Sequence, residues 1–357
     1  MEKEIKDKIL ELQKTNQFDE KERKKAKKEI IKICKELSAA EINELMDNKP
    51  RIHSVCIQKG GVGKSTLSSD LAYTLSQMGF KVLAIDSDPQ GSLTMLMNID
   101  VEDEEMYGLQ DLYDEQLTAE RKREDISYED VKKAIIRPKY GKVVRRGNTW
   151  LKEPDDFGFD FIPANLDLAD FDLILARPGK AYTLAKILNV LLEKESYDFI
   201  IIDNLPGLNA LSYASIACSK SGVIVPINLE PMTVKGAKNL VDTVSQVQHL
   251  LWETNMLHKG VLGIIRNQYS PRFKVQREYQ EVIDELFPIS VFNNAIPNKT
   301  TCDQAHNLGK LYSQYDPKVG EIMKEICYEI IAEDIRRNNE TEPYFVDELG
   351  KEEDTNM

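Results

Sequence analysis

The chain has 357 residues, 41% of them apolar, which is enough for one large α/β domain plus an appendage. Its formal net charge is −13, so the surface as a whole does not attract nucleic acid and any such contact depends on local basic patches. No apolar run approaches the ~20 residues needed to span a membrane, and the charged start from Glu2 onward lacks a signal-peptide pattern.

Residues 1–49 read as helices set apart from the main domain. Ile5, Ile9 and Leu12 recur at helical spacing, and a second helix is predicted over 19–37. Ser38-Ala39-Ala40-Glu41 is a capping box opening a third helix over 39–46, and Pro50 marks the boundary. Lys21 to Lys28 holds six basic residues and one acid. Such a run suits DNA or nucleoid contact. The balance of 13 basic against 12 acidic residues over 1–49 suits a solvated helix face as well. Operator binding and a dimerising arm both stay open for this segment.

Residues 53–57 alternate around Val55 and Ile57 as a strand does. From Thr66 to Met78, Leu67, Leu71, Ala72 and Leu75 fall on one helical face. Between them runs Lys59-Gly60-Gly61-Val62-Gly63-Lys64-Ser65-Thr66. Glycines, then lysine and hydroxyl in register between a strand and a helix, make a phosphate-binding loop. Gln58 stands where the general pattern has its first glycine, yet Gly60, Gly61 and Gly63 still let the backbone curl. Backbone N–H groups of the loop and the helix N-terminus would face phosphates. Lys64 would neutralise the β- and γ-phosphates and the Ser65 hydroxyl would ligate Mg²⁺, so ATP/ADP with Mg²⁺ is the expected ligand.

Strands are predicted at 52–57, 81–86, 159–162, 199–203, 222–227, 261–266 and 289–292, alternating with helices across a domain spanning 50–335. The fold class expected is α/β, a mostly parallel sheet with helices on both faces in the P-loop NTPase manner, with a helical N-terminal extension. Asp86 and Asp203 close apolar strands, with Asp88 two residues beyond the first. Carboxylates there sit at the C-terminal edge of the sheet, where α/β folds bind ligands. Singly, Asp86 or Asp88 would equally suit an ordinary turn or cap.

The segment 101–155 lacks the strand–helix rhythm and is polar. Within it Lys132, Lys133, Arg137, Lys139, Lys142, Arg145 and Arg146 occur with no acid between them, and Val143 and Val144 before Gly147-Asn148 suit a hairpin. That stretch fits DNA or partner contact, or a solvated loop. Residues 336–357 form an acidic tail, with seven acids and one lysine over 340–357, and read as disordered. An acidic, helix-poor tail could not lie on anionic lipid, which disfavours a membrane partner. Cys34, Cys56, Cys218, Cys302 and Cys327 form no C-x-x-C pair and the four histidines are isolated, so free thiols in a reducing cytosol are expected rather than zinc or disulfides.

With Lys59 included, the phosphate loop resembles the deviant Walker A motif of the ParA/MinD family. The apolar strand from Val82 that ends in Asp86-Ser87-Asp88-Pro89-Gln90-Gly91 is similar to that family's second motif. Tyr197 to Asp203 resembles its Walker B strand, and Val223 to Pro226 with Glu230-Pro231 its next strand and nucleotide-side loop. Gly263 to Asn267 resembles the strand whose terminal Asn contacts adenine, and Tyr315-Asp316-Pro317 the start of the last helix in ParA proteins. The resemblance runs in order over about residues 50–335 and points to the partition (ParA) branch.

That resemblance implies a role for each matching residue. Lys59 would reach across a nucleotide-sandwiched homodimer to the other subunit's phosphates, while Lys64 and Ser65 act in cis with Thr66 near the α-phosphate. Asp88 would orient the attacking water, Asp86 and Asp203 would support Mg²⁺ and its waters, and Gly60, Gly61, Val62, Gly63, Asn267 and Pro297 would line the nucleotide. Arg272, Lys274 and Arg277 resemble the position of a family DNA-contact arginine. The chain also departs from the pattern. Asp203-Asn204-Leu205-Pro206 keeps only the second proline of D-x-P-P, and Ile296-Pro297-Asn298-Lys299 has no I-R arginine, leaving Lys299 as the basic residue there. The implied function is DNA partition by a weak ATPase. Its dimer would bind DNA nonspecifically on the nucleoid, in the cytoplasm, until a ParB-like centromere-binding partner stimulates hydrolysis. The alternatives are a cargo-positioning ATPase of the same fold, or an operator-binding repressor acting through residues 1–49.

Overall fold

The computed structural model describes residues 3–14, 19–103, 105–146, 149–253, 256–287, 291–298 and 300–339. The strands are β1 (Arg51–Val55), β2 (Val82–Ser87), β3 (Lys139–Arg146), β4 (Thr149–Asp156), β5 (Asp160–Ile162), β6 (Phe199–Asn204), β7 (Gly222–Ile227), β8 (Val261–Tyr269) and β9 (Val291–Pro297). The first helices are α1 (Lys3–Gln13), α2 (Glu20–Cys34), α3 (Ala39–Leu45), α4 (Lys64–Gln77), α5 (Ser92–Leu96), α6 (Leu109–Arg121) and α7 (Tyr128–Lys133). They are followed by α8 (Asp172–Leu175), α9 (Thr183–Leu192), α10 (Ala210–Cys218), α11 (Pro231–Glu253), α12 (Lys274–Leu286), α13 (Thr301–Asn307), α14 (Tyr312–Tyr315) and α15 (Pro317–Arg336).

Seven strands form one sheet in the order β5-β2-β6-β1-β7-β8-β9, with every neighbouring pair parallel. A parallel sheet must be covered on both faces, and β1, β2, β6 and β7 accordingly bury every residue. Successive side chains serve opposite layers. Val82, Ala84, Phe199 and Ile201 join a core shared with α2, α4 and α15, while Leu83, Ile85, Ile200 and Ile202 pack with α6, α9 and α10. Val223, Val225 and Ile227 meet α11 and Ile283 of α12 on that second face.

Three expectations change here. Of the strand placed at 289–292, residues 289 and 290 lie outside the described residues, and the strand described extends beyond 292, over Val291–Pro297. Asn293 and Asn294 hid its length, because their backbone N–H groups are satisfied by the buried Glu329 carboxylate at 2.9 and 3.0 Å. The segment 101–155 carries two helices. In α6, Leu109, Leu112, Tyr113 and Leu117 keep a helical period that buried Gln110 and Gln116 dilute. Its basic stretch forms part of α7 and then the antiparallel hairpin β3–β4, which joins Arg146 to Thr149. Lastly, the N-terminal helices do not stand apart. Ile30 and Cys34 of α2 are fully buried in the core that includes α15. Arg23 bonds Glu333, Arg336 bonds the same carboxylate at 2.9 Å, and Lys27 pairs with Glu329 at 3.1 Å. Burial alone would raise the Glu333 carboxyl, but Arg23 and Arg336 hold it well below the usual carboxylate range. Of the Lys21–Lys28 run, Arg23 and Lys27 thus face inward and Lys24 pairs with Glu20. The acidic tail from 340 lies outside the described residues.

The loop helix α4 is tied to α14 through Asp70, whose Oδ1 accepts from Ser313 N at 2.8 Å and from Ser313 Oγ at 2.5 Å. Burial pushes Asp70 up to about 6, from 3.8. The folded chain therefore resists ionisation that the unfolded chain accepts. The contribution of Asp70 to stability falls as pH rises from about 4 to about 6 and its loss is constant above that. Asp70→Asn keeps the accepting oxygen without the charge, so it is expected to flatten that slope. At pH 8 it should raise stability by about 2–3 kcal/mol, read from denaturant melts at pH 4, 6 and 8.

Candidate functional site

The loop between β1 and α4 sits at the C-terminal edge of the sheet. Gly61 and Gly63 take φ of 74° and 78°, which a residue with a Cβ rarely adopts, and a Cβ on Gly63 would meet Asn267 Nδ2 at 2.6 Å. Two side chains at the end of β8 brace the loop from that side. Asn267 Nδ2 donates to Val62 O at 2.7 Å, and Gln268 Nε2 donates to Gly61 O at 3.2 Å. The amide of Asn267 is thus engaged with the loop itself. Pro297 ends β9 beside Tyr269, and its carbonyl accepts from Tyr312 Oη at 3.2 Å.

The two lysines of the loop have different surroundings. Lys64 is 6% exposed, and its Nζ lies 3.5 Å from Lys59 O. Burial lowers its pKa, while the charges of Asp203 and Asp88 act to raise it. The Lys59 side chain is 34% exposed at the rim, where its Nζ pairs with Glu230 just before α11.

The carboxylates come from adjacent strands, Asp86 opposite Asp203 in the β2–β6 register. Asp86 is occupied within the protein: Oδ1 accepts from Asp88 N at 3.0 Å, and Oδ2 accepts from Thr94 N and Thr94 Oγ1, both at 2.8 Å. Asp203 Oδ1 accepts from Ser68 Oγ at 2.8 Å, but its Oδ2 is buried without a hydrogen-bond partner. Burial raises both. Asp203 adds to the rise at Asp86, and the hydroxyls of Ser65 and Ser68 with Lys64 oppose it at Asp203. Asp88 is nearly buried, caps Gln90 N at 2.9 Å, and is raised by burial against the pull of that bond and of Lys64.

Lys59, Gly60 to Thr66, Asp86, Asp88, Asp203 and Asn267 therefore gather around one loop. Asp86 holds the β2–α5 turn in place, which leaves Asp203 with the open oxygen. A dry, unpaired carboxylate oxygen on a group served by the hydroxyls of Ser65 and Ser68 fits a divalent cation. Arg272, Lys274 and Arg277 are exposed at the start of α12, where Lys274 pairs with Glu278 at 3.3 Å and Arg277 donates to Pro271 O at 2.6 Å. Arg145 and Arg146 lie on β3 with side chains outside the described residues, as is Lys299. Among the described residues no group of His, Cys, Asp and Glu forms a separate metal cluster, and the five cysteines are unpaired.

Three positions were not singled out from sequence. Thr94 links Asp86 to Ala164 N, which its hydroxyl accepts from at 3.0 Å. Asn204 donates to Val55 O at 3.4 Å, joining the end of β6 to the strand that enters the loop. Gln268 reaches the loop from a φ of 52°. Only the last has a sequence signal, its place directly after Asn267.

Residues 50–257 match the AAA domain family. The chain is 30% identical to the chromosome-partitioning ATPase Soj of Treponema pallidum over 284 residues, 78% of this chain and 96% of that one. Among solved structures it resembles apo McdA of Cyanothece, with a TM-score of 0.59 at 23% identity over 80% of this chain and 99% of that one. It also resembles a cobyrinic acid a,c-diamide synthase of Mycobacterium smegmatis with bound ATP analogue and magnesium, with a TM-score of 0.53 at 24% identity over 74% and 91%.

Proposed function

The chain belongs to the ParA/MinD family of P-loop ATPases, and we propose that within it this protein is an ATP-driven dimer switch that partitions DNA. The observation that carries the proposal is the divergence of the two loop lysines. Lys64 is buried, with its Nζ turned to its own loop at Lys59 O and in the field of Asp203 and Asp88, and Lys59 stands at the rim, held by a surface glutamate. A lysine surplus to one subunit's phosphates is suited to a second subunit's.

ATP bound with Mg²⁺ would supply the phosphoryl group and the negative charge that the loop is built to meet. The chain's own groups then divide the work. Lys64 and the backbone N–H groups from Gly60 to Thr66 neutralise phosphate charge. Ser65 and the open Oδ2 of Asp203 hold the cation side, with Ser68 fixing the Asp203 rotamer. Asp88 orients the attacking water by accepting from it, and the Asp86–Thr94 bonds set where Asp88 points. Lys59 leaves Glu230 and closes the dimer. The pair is exposed and contributes about 0–1 kcal/mol, so it gives way to a triphosphate at little cost. Nothing in this set is an arginine finger, which fits slow turnover that a ParB-like partner accelerates.

DNA would be met by local basic residues of both subunits, with Arg272, Lys274 and Arg277 the exposed candidates. The test is a DNA-binding titration without nucleotide, with ADP and with ATP, each at two salt concentrations. Binding that requires ATP and weakens by about 10²-fold or more between 50 and 200 mM salt is expected. Absence of binding in all three states would refute partition on DNA and leave a cargo-positioning ATPase.

A further inference from the structure

We propose that Gln268 is a positioning residue for phosphate binding: by holding one carbonyl of the loop, it turns the N–H of the same peptide unit toward the phosphate. In a regular strand Asn267 and Gln268 would point to opposite faces of the sheet. Here both amides reach one loop, Asn267 Nδ2 donating to Val62 O at 2.7 Å and Gln268 Nε2 to Gly61 O at 3.2 Å. An irregular strand end makes this possible. Gln268 takes a φ of 52°, a left-handed conformation uncommon for a residue with a Cβ, and the β8–β9 register shifts between Arg266 and Tyr269. Such an irregularity re-aims a side chain. Two bonds hold it in place: Gln268 N donates to Asn267 Oδ1 at 2.9 Å, and Gln276 Oε1 of α12 accepts from Ser270 N at 2.7 Å.

The two amides fall on successive carbonyls of the loop. A trans peptide unit is planar, with its C=O and N–H pointing in opposite directions, and the units 61–62 and 62–63 are trans. Holding Gly61 O toward β8 therefore turns the Val62 N–H away from β8, and holding Val62 O does the same for the Gly63 N–H. An anion is met by N–H groups and repelled by carbonyls, so the facing of each unit decides whether the loop can hold phosphate. Glycine restrains that facing little, and Gly61 and Gly63 both stand at positive φ. The side chains of β8 supply the restraint that the glycines lack, before any ligand arrives. A residue kept in a sparsely populated conformation beside a binding loop is accounted for in this way. Gln268 has this role only if the loop takes phosphate, as proposed above.

The test titrates the full chain with two probes in the presence of Mg²⁺, ATP and inorganic tripolyphosphate, by calorimetry. Gln268→Met keeps the length of the side chain without the donor. Gln268→Gly removes the side chain and adopts the left-handed φ without strain, and thermal melts confirm that both variants fold. Each variant should bind both probes about fivefold or more weakly, by the same factor for the two probes. The KM for ATP should rise by that factor while kcat holds within about twofold, because oriented N–H groups serve bound substrate and transition state alike. A side chain that instead read the base or ribose would cost ATP affinity alone, and unchanged tripolyphosphate binding would overturn the proposal. A loss in only one variant would trace to bulk or to backbone strain rather than to the amide, and would overturn it as well. Wild-type protein that binds neither probe would refute the phosphate loop itself and the role of Gln268 with it.

Discussion

Lys64→Ala is expected to reduce ATP turnover by about 10²–10³-fold, the effect of removing one preorganised charge from where phosphate charge develops. Nucleotide affinity and ATP-dependent dimerisation should fall with it. Lys59→Ala should behave differently. The rim lysine lies away from Asp203 and Asp88, so that variant should still bind ATP yet fail to dimerise in size-exclusion chromatography with a slowly hydrolysed analogue. Neither change should unfold the chain. Asp86 and Asp203 are both raised by burial and can take up a proton when Lys64 is lost. Lys59 forms only an exposed ion pair, worth about 0–1 kcal/mol. A Lys64→Ala protein that retains ATP-dependent dimerisation would remove the loop from its role. Equal loss of nucleotide binding in both variants would show that Lys59 serves its own subunit's nucleotide.

The candidate site at the sheet's C-terminal edge was legible in the sequence for a physical reason. A parallel sheet buried on both faces forces its strands into apolar runs, so the polar residues that end those runs stand out: Asp86 after Val82-Leu83-Ala84-Ile85, and Asp203 after Phe199-Ile200-Ile201-Ile202. The glycines before Lys64 were equally legible, because only a curled backbone needs them. The division of labour between the two aspartates was not. Both close apolar strands, but Thr94 occupies Asp86 from a short helix eight residues later, and no local pattern announces that a threonine will point back at a strand end. Residues 1–49 read as separate in the sequence for a related reason. Their charge balance suits a solvated helix, and only the far end of the chain supplies Glu329 and Glu333, which turn Lys27 and Arg23 inward. The polar stretch 101–155 concealed α6 because buried Gln116 interrupts the apolar pattern while its amide reaches Asp125 and Ile126 N at 3.1 Å.

Asp88→Ala should lower single-turnover phosphate release by about 10²-fold or more, the upper range for losing a positioned acid–base or water-orienting group, while leaving ATP binding intact. The separation follows from where Asp88 sits. Its main-chain N–H is fixed by Asp86, and its carboxylate contacts the protein through Gln90 N at 2.9 Å, so removing it deletes one capping bond and leaves the phosphate loop untouched. Loss of such a bond costs about 1 kcal/mol, partly returned because a carboxyl that burial has raised no longer needs to ionise. The variant should therefore accumulate as an ATP-bound dimer, and if the partition reading holds, as one retained on DNA. The wild-type rate should carry the matching pH signature. An orienting carboxylate must be ionised to accept from water, and burial raises the pKa of Asp88, so hydrolysis should fall as pH drops through that raised value and the fall should vanish in Asp88→Asn. A variant that turns over at the wild-type rate, or that keeps the acid limb, would assign the water to another group.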